Sequence, residues 1–161
     1  MPVAEPLTAP SLEHILAALE VRLELEEAIA NSPLTQALEQ CLLFTQTHNL
    51  PDVAQFVKQE LDGYSSSQPP NNRLVHLVYF DAGGQAIDGL SQYSSYPLVT
   101  GVRKLERHLK NGLTLKLPSQ ILTFLSQVAG REVEIGHVSP AQIIHSLENI
   151  RNVTIRRFKQ I

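Results

Sequence analysis

Residues 51–64, PDVAQFVKQELDGY, constrain the fold most, because the chain changes character on either side of them. Pro51 suits the first position of a helix, where its missing N–H is not needed. The apolar residues that follow recur with the period of a helix: Val53, Phe56, Val57 and Leu61. Gly63 is placed to end this helix in a left-handed conformation. The chain before this stretch has helical patterns and is acidic, whereas the chain after it is mixed in pattern and basic.

The net charge of −3 conceals this asymmetry. Residues 1–62 carry ten Asp or Glu and two Lys or Arg, whereas residues 63–161 carry six Asp or Glu and eleven Lys or Arg. Two explanations are open: the two parts attract each other, within one fold or between copies, or a basic surface meets an acidic partner or a phosphate backbone. We favour the first, because a charge of this size is too weak to specify a partner.

The length and composition predict one globular domain. A chain of 161 residues buries roughly 70% of its unfolded surface. It contains no apolar run of about 18 residues, and its N-terminus lacks the basic and apolar segments of a signal peptide. Its single cysteine, Cys41, cannot form an intramolecular disulfide. We therefore expect a cytoplasmic protein with no membrane segment.

Two further helices are predicted before residue 51. Ser11 is the expected N-cap of the first, which ends near Asn31. Its apolar stripe comprises Leu12, Ile15, Leu16, Leu19 and Leu23, with Glu24, Glu26 and Glu27 on the solvated face. Ser32 is the expected cap of the second, with Pro33 at its first position. Its buried stripe comprises Leu34, Ala37, Leu38, Cys41, Leu42 and Thr45. This second helix and the one from Pro51, joined by the short turn HNLP, predict an αα-hairpin.

The second half predicts strands mixed with helices. Residues 65–72 form an exposed loop, residues 73–80 a strand, and the turn at 81–84 returns the chain as a hairpin through 85–90. Leu98, Val102, Leu105 and Leu109 predict a helix that Gly112 closes. A short extended segment at 113–118, a helix capped by Ser119 and stopped by Gly130, and a strand at 131–136 follow. Ser139 and Gln142 form a capping box for a long last helix, with the stripe Ile143, Leu147, Ile150, Thr154 and Phe158.

These elements predict an α+β fold. We expect an N-terminal helical hairpin packed with a short antiparallel sheet and a long C-terminal helix. Residues 1–10 read as an irregular lead-in, and residues 11–161 as a single domain. No phosphate-binding loop, metal-ligand spacing or catalytic motif is present, so we predict no catalytic, cofactor-binding or metal-binding residue. Cys41 is interpreted as a buried small hydrophobe, and His76 as a half-buried strand histidine with a hydrogen-bond partner.

Two basic clusters are the candidate interaction surface. The first comprises Arg103, Lys104, Arg107 and Lys110, and the second comprises Arg151, Arg156, Arg157 and Lys159. Each has a plainer explanation. The first is typical of a solvated helix face, and the second complements the negative end of the last helix dipole.

The segment QALEQCLLFTQTHNLPDVAQFVKQELDGY, residues 36–64, resembles the opening of the AbiTii-like domain, a family associated with bacterial abortive-infection defence against phage. Members typically show a helix, a short turn, and a helix with a "KELnGY"-like ending, which is KQELDGY at residues 58–64 here. PPNNRLVHLVYF matches the loop and strand that follow. Ile150, Arg151 and Asn152 resemble a "VRN"-like core in the C-terminal helix. The resemblance extends from about Ser32 to the end of the chain.

The resemblance implies a phage-defence setting and supplies no catalytic residues. Our hypothesis is a component of an abortive-infection system that acts as a protein-interaction or effector module, with a protein partner or self-association. The alternatives are a toxin enzyme that acts on nucleic acid through the basic clusters, and a structural oligomer subunit. Nucleic acid is the less supported ligand, because no recognised nucleic-acid motif accompanies the basic residues.

Overall fold

The structure is a computed structural model that describes residues 11–65 and 69–160. The helices within these residues are α1 (Leu12–Asn31), α2 (Leu34–Thr47), α3 (Pro51–Asp62), α4 (Val102–Leu105), α5 (Ser119–Ala129) and α6 (Pro140–Lys159). The strands are β1 (Leu74–His76), β2 (Val78–Phe80), β3 (Ser95–Pro97), β4 (Leu113–Leu115) and β5 (Ile135–Val138). The α+β class and the long C-terminal helix are confirmed. The predicted lead-in at residues 1–10 lies outside the described residues.

The helical hairpin of α2 and α3 is confirmed. Five members of the predicted stripe of α2 are buried, whereas Leu42 is only partly buried; the buried five are Leu34, Ala37, Leu38, Cys41 and Thr45. Asn49, at a φ of +54°, turns the chain between the helices, and the Leu50 N–H donates to the Thr45 carbonyl. The predicted start of α2 is wrong by one residue. Pro33 is the N-cap itself, and Ser32 lies at the C-terminal end of α1.

Helix α6 forms where it is predicted, but only half of its capping box is present, because the Gln142 side chain accepts from the His76 N–H instead of the Ser139 N–H. The Ser139 hydroxyl accepts a hydrogen bond from the Gln142 N–H, and Pro140 occupies the first turn. One face is buried: Ile143, Ser146, Leu147, Ile150, Thr154 and Phe158. This face lies against α1, α3 and β1, so α6 joins the helical hairpin to the strands.

The predicted strand at residues 73–80 is divided between two sheets. Strand β1 pairs antiparallel with β3, whereas β2 pairs antiparallel with β5, the centre of a sheet ordered β2-β5-β4. The turn after β2 forms, since the Asp81 N–H donates to the Gln85 carbonyl. The prediction of a returning hairpin strand at 85–90 is wrong, because this segment pairs with β2 only through a single bridge between Phe80 and Ala86.

Three other boundaries differ from the prediction. The helix expected from Leu98 to Leu109 is only the short α4 followed by a 3-10 turn, Glu106–His108. The strand expected at residues 131–136 lies later, as β5. Pro118, not Ser119, is the N-cap of α5, which Gly130 ends at a φ of +68°. The extended segment after Gly112 is present as β4.

Candidate interaction surfaces

A buried ion pair lies at the end of α3, inside the KQELDGY segment. The side chains of Glu60 and Arg73 are 1% and 0% exposed. Glu60 Oε2 accepts hydrogen bonds from Arg73 Nη2 at 2.6 Å and from Arg73 Nε at 3.1 Å. Arg73 Nη1 also donates to the Thr100 carbonyl at 2.6 Å. The pair therefore joins α3, the start of β1 and the chain before α4.

Tyr64 completes this buried cluster. Its hydroxyl donates to Glu60 Oε1, and the Arg73 guanidinium carbon lies 5.3 Å from the centre of its ring. Burial raises the pKa of the Tyr64 phenol above its ordinary value, and the hydrogen bond to Glu60 raises it further. Its phenol is thus held protonated as a hydrogen-bond donor, and it supports Glu60 where α3 ends.

The glycine between these residues is required by a close backbone contact. Gly63 has a φ of +102°, and a Cβ there would lie 2.7 Å from the Val99 carbonyl oxygen. Across the contact, a Cβ on Gly101 would lie 2.3 Å from the Leu61 carbonyl oxygen. The Tyr64 N–H donates to the Val99 carbonyl at 2.9 Å. Packing and backbone geometry account for Glu60, Gly63 and Tyr64 without a catalytic role.

The sequence prediction missed both charges of this cluster. Glu60 falls within the apolar spacing of α3, three residues after Val57 and one before Leu61. A carboxylate in that position was the available signal, since a buried charge needs a counter-ion. No comparable local signal points to Arg73, because its contacts come from residues distant in sequence.

In the first basic cluster, Arg103 is paired with carboxylates, whereas the other three cations are paired with none among the described residues. Arg103 bonds to Asp62, with Nε 3.0 Å from Oδ1, and also to Glu39. These hydrogen bonds, first to Glu39 and then to Asp62, raise the pKa of the Arg103 guanidinium. The exposed cations Lys104, Arg107 and Lys110 form no ion pair with a described residue. Their role in binding stays a prediction.

Two arginines of the second cluster have structural contacts. Arg151 Nη1 donates to the Ile29 and Ser32 carbonyls, each at 2.6 Å, where α1 ends. The Arg157 guanidinium carbon lies 4.9 Å from the centre of the Phe56 ring. Arg156 and Lys159 are exposed at the end of α6. This surface also stays a prediction.

The charge asymmetry is partly satisfied within the fold. Three of the four ion pairs among the described residues join a carboxylate before residue 63 to an arginine after it: Glu60 with Arg73, and both Glu39 and Asp62 with Arg103. The explanation we favoured was attraction between the two parts, within one fold or between copies, and these three pairs are of the first kind.

A cleft of about 350 Å³ lies between the β1–β2 segment and the start of α6. His76 is exposed there rather than half-buried, and its Nδ1 lies 3.2 Å from Ser94 Oγ. The Ser94 hydroxyl donates its one proton to the Ser91 carbonyl at 2.7 Å. The histidine is therefore placed as a donor to this serine and not as a base that activates it.

The structure also bears on Cys41, on metal binding and on membrane-spanning helices. The Cys41 side chain is fully buried, and burial raises the pKa of its thiol to about 12, which disfavours the nucleophilic thiolate. Residues 11–65 and 69–160 bring together no three His, Cys, Asp or Glu side chains suited to a metal ion. Nor is any helix in these ranges long and apolar enough to cross a membrane.

Helix α1 carries six of the thirteen exposed large hydrophobic side chains among the described residues. The helix and its Ser11 cap form as predicted, but only Leu25 and Ile29 are buried. Every residue from 11 to 21 is exposed. We call residues 12–23 of α1 the overhang. Its stripe points away from the core: Leu12 is 71% exposed, Ile15 42%, Leu16 50%, Leu19 48% and Leu23 63%.

A second apolar surface lies on the other side of the overhang. It is a groove of about 530 Å³ between α1 and the end of α2. Most of its lining is apolar: Ala17, Ala18, Val21, Phe44 and Leu50. The lining also includes His14, His48 and Arg22, whose Nη2 donates to the Phe158 and Lys159 carbonyls. The overhang is therefore apolar on both sides. The sequence pattern revealed the stripe but not that the fold leaves it uncovered.

Comparison with known proteins gives one match. The AbiTii family model matches residues 23–157, which is most of the chain. No curated protein and no solved structure was found to match. The match includes the buried cluster and α6, and it begins where α1 starts to pack on the body of the fold. Most of the overhang precedes it.

Proposed function

Since this chain belongs to the AbiTii family, an abortive-infection family, we propose that it acts as a protein-interaction and effector module of an anti-phage system, and that the stripe of the α1 overhang is its docking face. Family membership implies the phage-defence role. The docking role rests on the geometry of α1.

One observation carries this proposal: α1 is apolar on two sides, and along its first three turns no residue within 11–65 and 69–160 covers the stripe. The apolar face of a helix in a globular protein is normally packed against another element. Fully burying one leucine side chain is worth about 1.5–3 kcal/mol, and the stripe presents four leucines and an isoleucine. Contiguous exposed apolar patches of this kind mark interaction sites.

The two alternatives rest on other features. A toxin that acts on nucleic acid would use the exposed cations Lys104, Arg107 and Lys110, and its binding would weaken steeply with salt. A structural oligomer would show, by light scattering, a mass that is a multiple of the monomer. Neither alternative requires the stripe to be accessible to a different protein.

The test is phage plating on the native host. We expect that deletion of the gene raises plating efficiency and that Leu16→Glu/Leu19→Glu has the same effect, because two carboxylates on the stripe prevent apolar contact. Leu43→Glu is the matched control, since Leu43 is 66% exposed on α2, away from the stripe. Circular dichroism should show that both variants remain folded. Full protection by the folded double variant would refute the docking role.

A further inference from the structure

We propose that the occupant of the α1 stripe is an amphipathic helix of a different protein, with an apolar face edged by Lys or Arg. This inference rests on the proposed docking role and adds the chemistry of the partner. It follows from the charges beside the stripe, from the poor match that α1, α5 and the first basic cluster of a second copy would offer, and from the length of the overhang.

The stripe has an acidic edge. Four exposed carboxylates follow one another along a single side of α1: Glu13, Glu20, Glu24 and Glu27. Their spacings of seven, four and three residues place them on one line, beside Leu12, Leu16 and Leu23. None of the four forms an ion pair with a described residue. A row of unpaired carboxylates along an apolar face favours a partner with cations at the matching edge.

A second copy of the chain does not provide those cations. In an antiparallel two-fold pair of α1 helices, each edge meets the same edge of the copy, so the two acidic rows would face each other. In a parallel pair the acidic row would meet the opposite edge, which holds Glu26 and Arg22. Arg22 is already engaged by the carbonyls at the end of α6.

Other surfaces of a second copy are no better matched. The exposed apolar residues of α5 are Ile121, Phe124 and Val128, but α5 contains no charged residue. The exposed cations of the first basic cluster, Lys104, Arg107 and Lys110, have no exposed large apolar residue among them on α4 or the turn after it. Neither of these two surfaces combines exposed large apolar residues with cations on its own element.

The dimensions of the overhang suit a helix as partner. Its twelve residues, 12–23, extend about 18 Å at 1.5 Å per residue. The stripe residues recur at i, i+3, i+4, i+7 and i+11, the spacing at which amphipathic helices present anchors to one another. The groove on the other side is lined in part by His14, His48 and Arg22 and by no carboxylate, so it is not complementary to a basic-edged helix. The stripe is the matching side.

Fluorescence anisotropy with designed helical peptides tests this chemistry. The probes are two labelled peptides with the same leucine face, one edged by lysines and one by glutamates, titrated with the full-length protein. We expect the lysine-edged peptide to bind at least tenfold more tightly at low salt, with the difference shrinking as salt screens the charges. A peptide of the same composition with its leucines dispersed around the helix should not bind.

Charge reversal provides the decisive comparison. Glu13→Lys/Glu20→Lys/Glu24→Lys should invert the preference toward the glutamate-edged peptide. The matched control is Asp88→Lys/Glu132→Lys/Glu134→Lys, which changes the net charge equally at exposed sites outside α1 and α6 and should leave the preference unchanged. If the first variant does not invert the preference, or if the control inverts it too, the acidic edge does not select the partner and the inference is overturned.

Two further results separate this inference from the proposed function. A dimer in light scattering that Leu16→Glu/Leu19→Glu converts to a monomer would identify a second copy as the occupant and overturn the inference. Phage protection that is lost in the stripe variant but kept in the triple Glu→Lys variant would overturn the basic-edged partner and leave the docking role intact. Protection kept in the stripe variant would refute the docking role itself.

Discussion

Removing the charge of Glu60 should destabilise the fold strongly. Glu60→Gln keeps the shape of the side chain, but it leaves the Arg73 guanidinium, which is 0% exposed, without a counter-ion. Breaking a buried pair by removing one partner costs about 3–5 kcal/mol. A domain of this kind has about 5–15 kcal/mol of stability in total. We therefore expect Glu60→Gln to remove a large part of the free energy of unfolding.

Arg103→Met is the matched control for this prediction. Arg103 also pairs with carboxylates, but its side chain is 42% exposed and those of Glu39 and Asp62 are 49% and 53% exposed. Exposed ion pairs contribute about 0–1 kcal/mol each, so the free energy of unfolding of this variant should fall only slightly. The contrast between the two variants tests burial, because both disrupt an ion pair with arginine.

Urea unfolding at neutral pH, followed by far-UV circular dichroism, measures both losses. Glu60→Met/Arg73→Met should cost less than the sum of its two single variants, because it removes both buried charges together. A loss below about 1 kcal/mol for Glu60→Gln, within the range of an exposed pair, would refute the reasoning. Equal losses for Glu60→Gln and Arg103→Met would refute it as well.

Three other predictions follow from the same region and its surroundings. Gly63→Ala should lower the free energy of unfolding by about 1–3 kcal/mol or more, because its φ is +102° and the added Cβ meets the Val99 carbonyl; Gly84→Ala, at a φ of +81° with open space around it, should lose less in the same urea assay. The free energy of unfolding should fall as pH rises above about 10, the ordinary tyrosine pKa. The reason is that the unfolded chain releases a phenol proton, whereas folded Tyr64, with its raised pKa, retains it. In urea titrations across pH, Tyr64→Phe should reduce this alkaline loss of stability, and an unchanged loss would contradict the prediction. Lys104→Glu/Arg107→Glu/Lys110→Glu should weaken partner binding without unfolding the chain if these cations form a contact surface, measured by co-purification from the native host; unchanged recovery would remove them from the candidate surface.

The sequence predicted best the helices whose capping residues and apolar stripe lie within the helix or directly beside it. Helix α6 has a serine cap, a proline in its first turn and a continuous stripe, and all three act within it. Helix α3 likewise begins at Pro51 and ends before Gly63. Such contacts involve residues close in sequence, so the pattern contains most of the information that determines the element.

The remaining features depend on residues that are distant in sequence. The apolar run at residues 73–80 predicts strand structure, but its division at Leu77 depends on β3 and β5, which lie elsewhere in the chain. Periodicity shows that a face of α1 is apolar but not what covers it. The partners of Arg73, Arg103 and Arg151 are equally remote, so these arginines could not be distinguished from exposed cations.

The order of the strands along the chain has a consequence for synthesis. Strand β5 is the centre of its sheet, yet the chain must extend from residue 80 to residue 135 before β2 can pair with it. At roughly 5–20 residues per second, β2 leaves the ribosome several seconds before its neighbour. A chain that terminates before β5 would leave both β2 and β4 as unpaired edges. Folding of this sheet therefore depends on the synthesis of β5, more than fifty residues after β2.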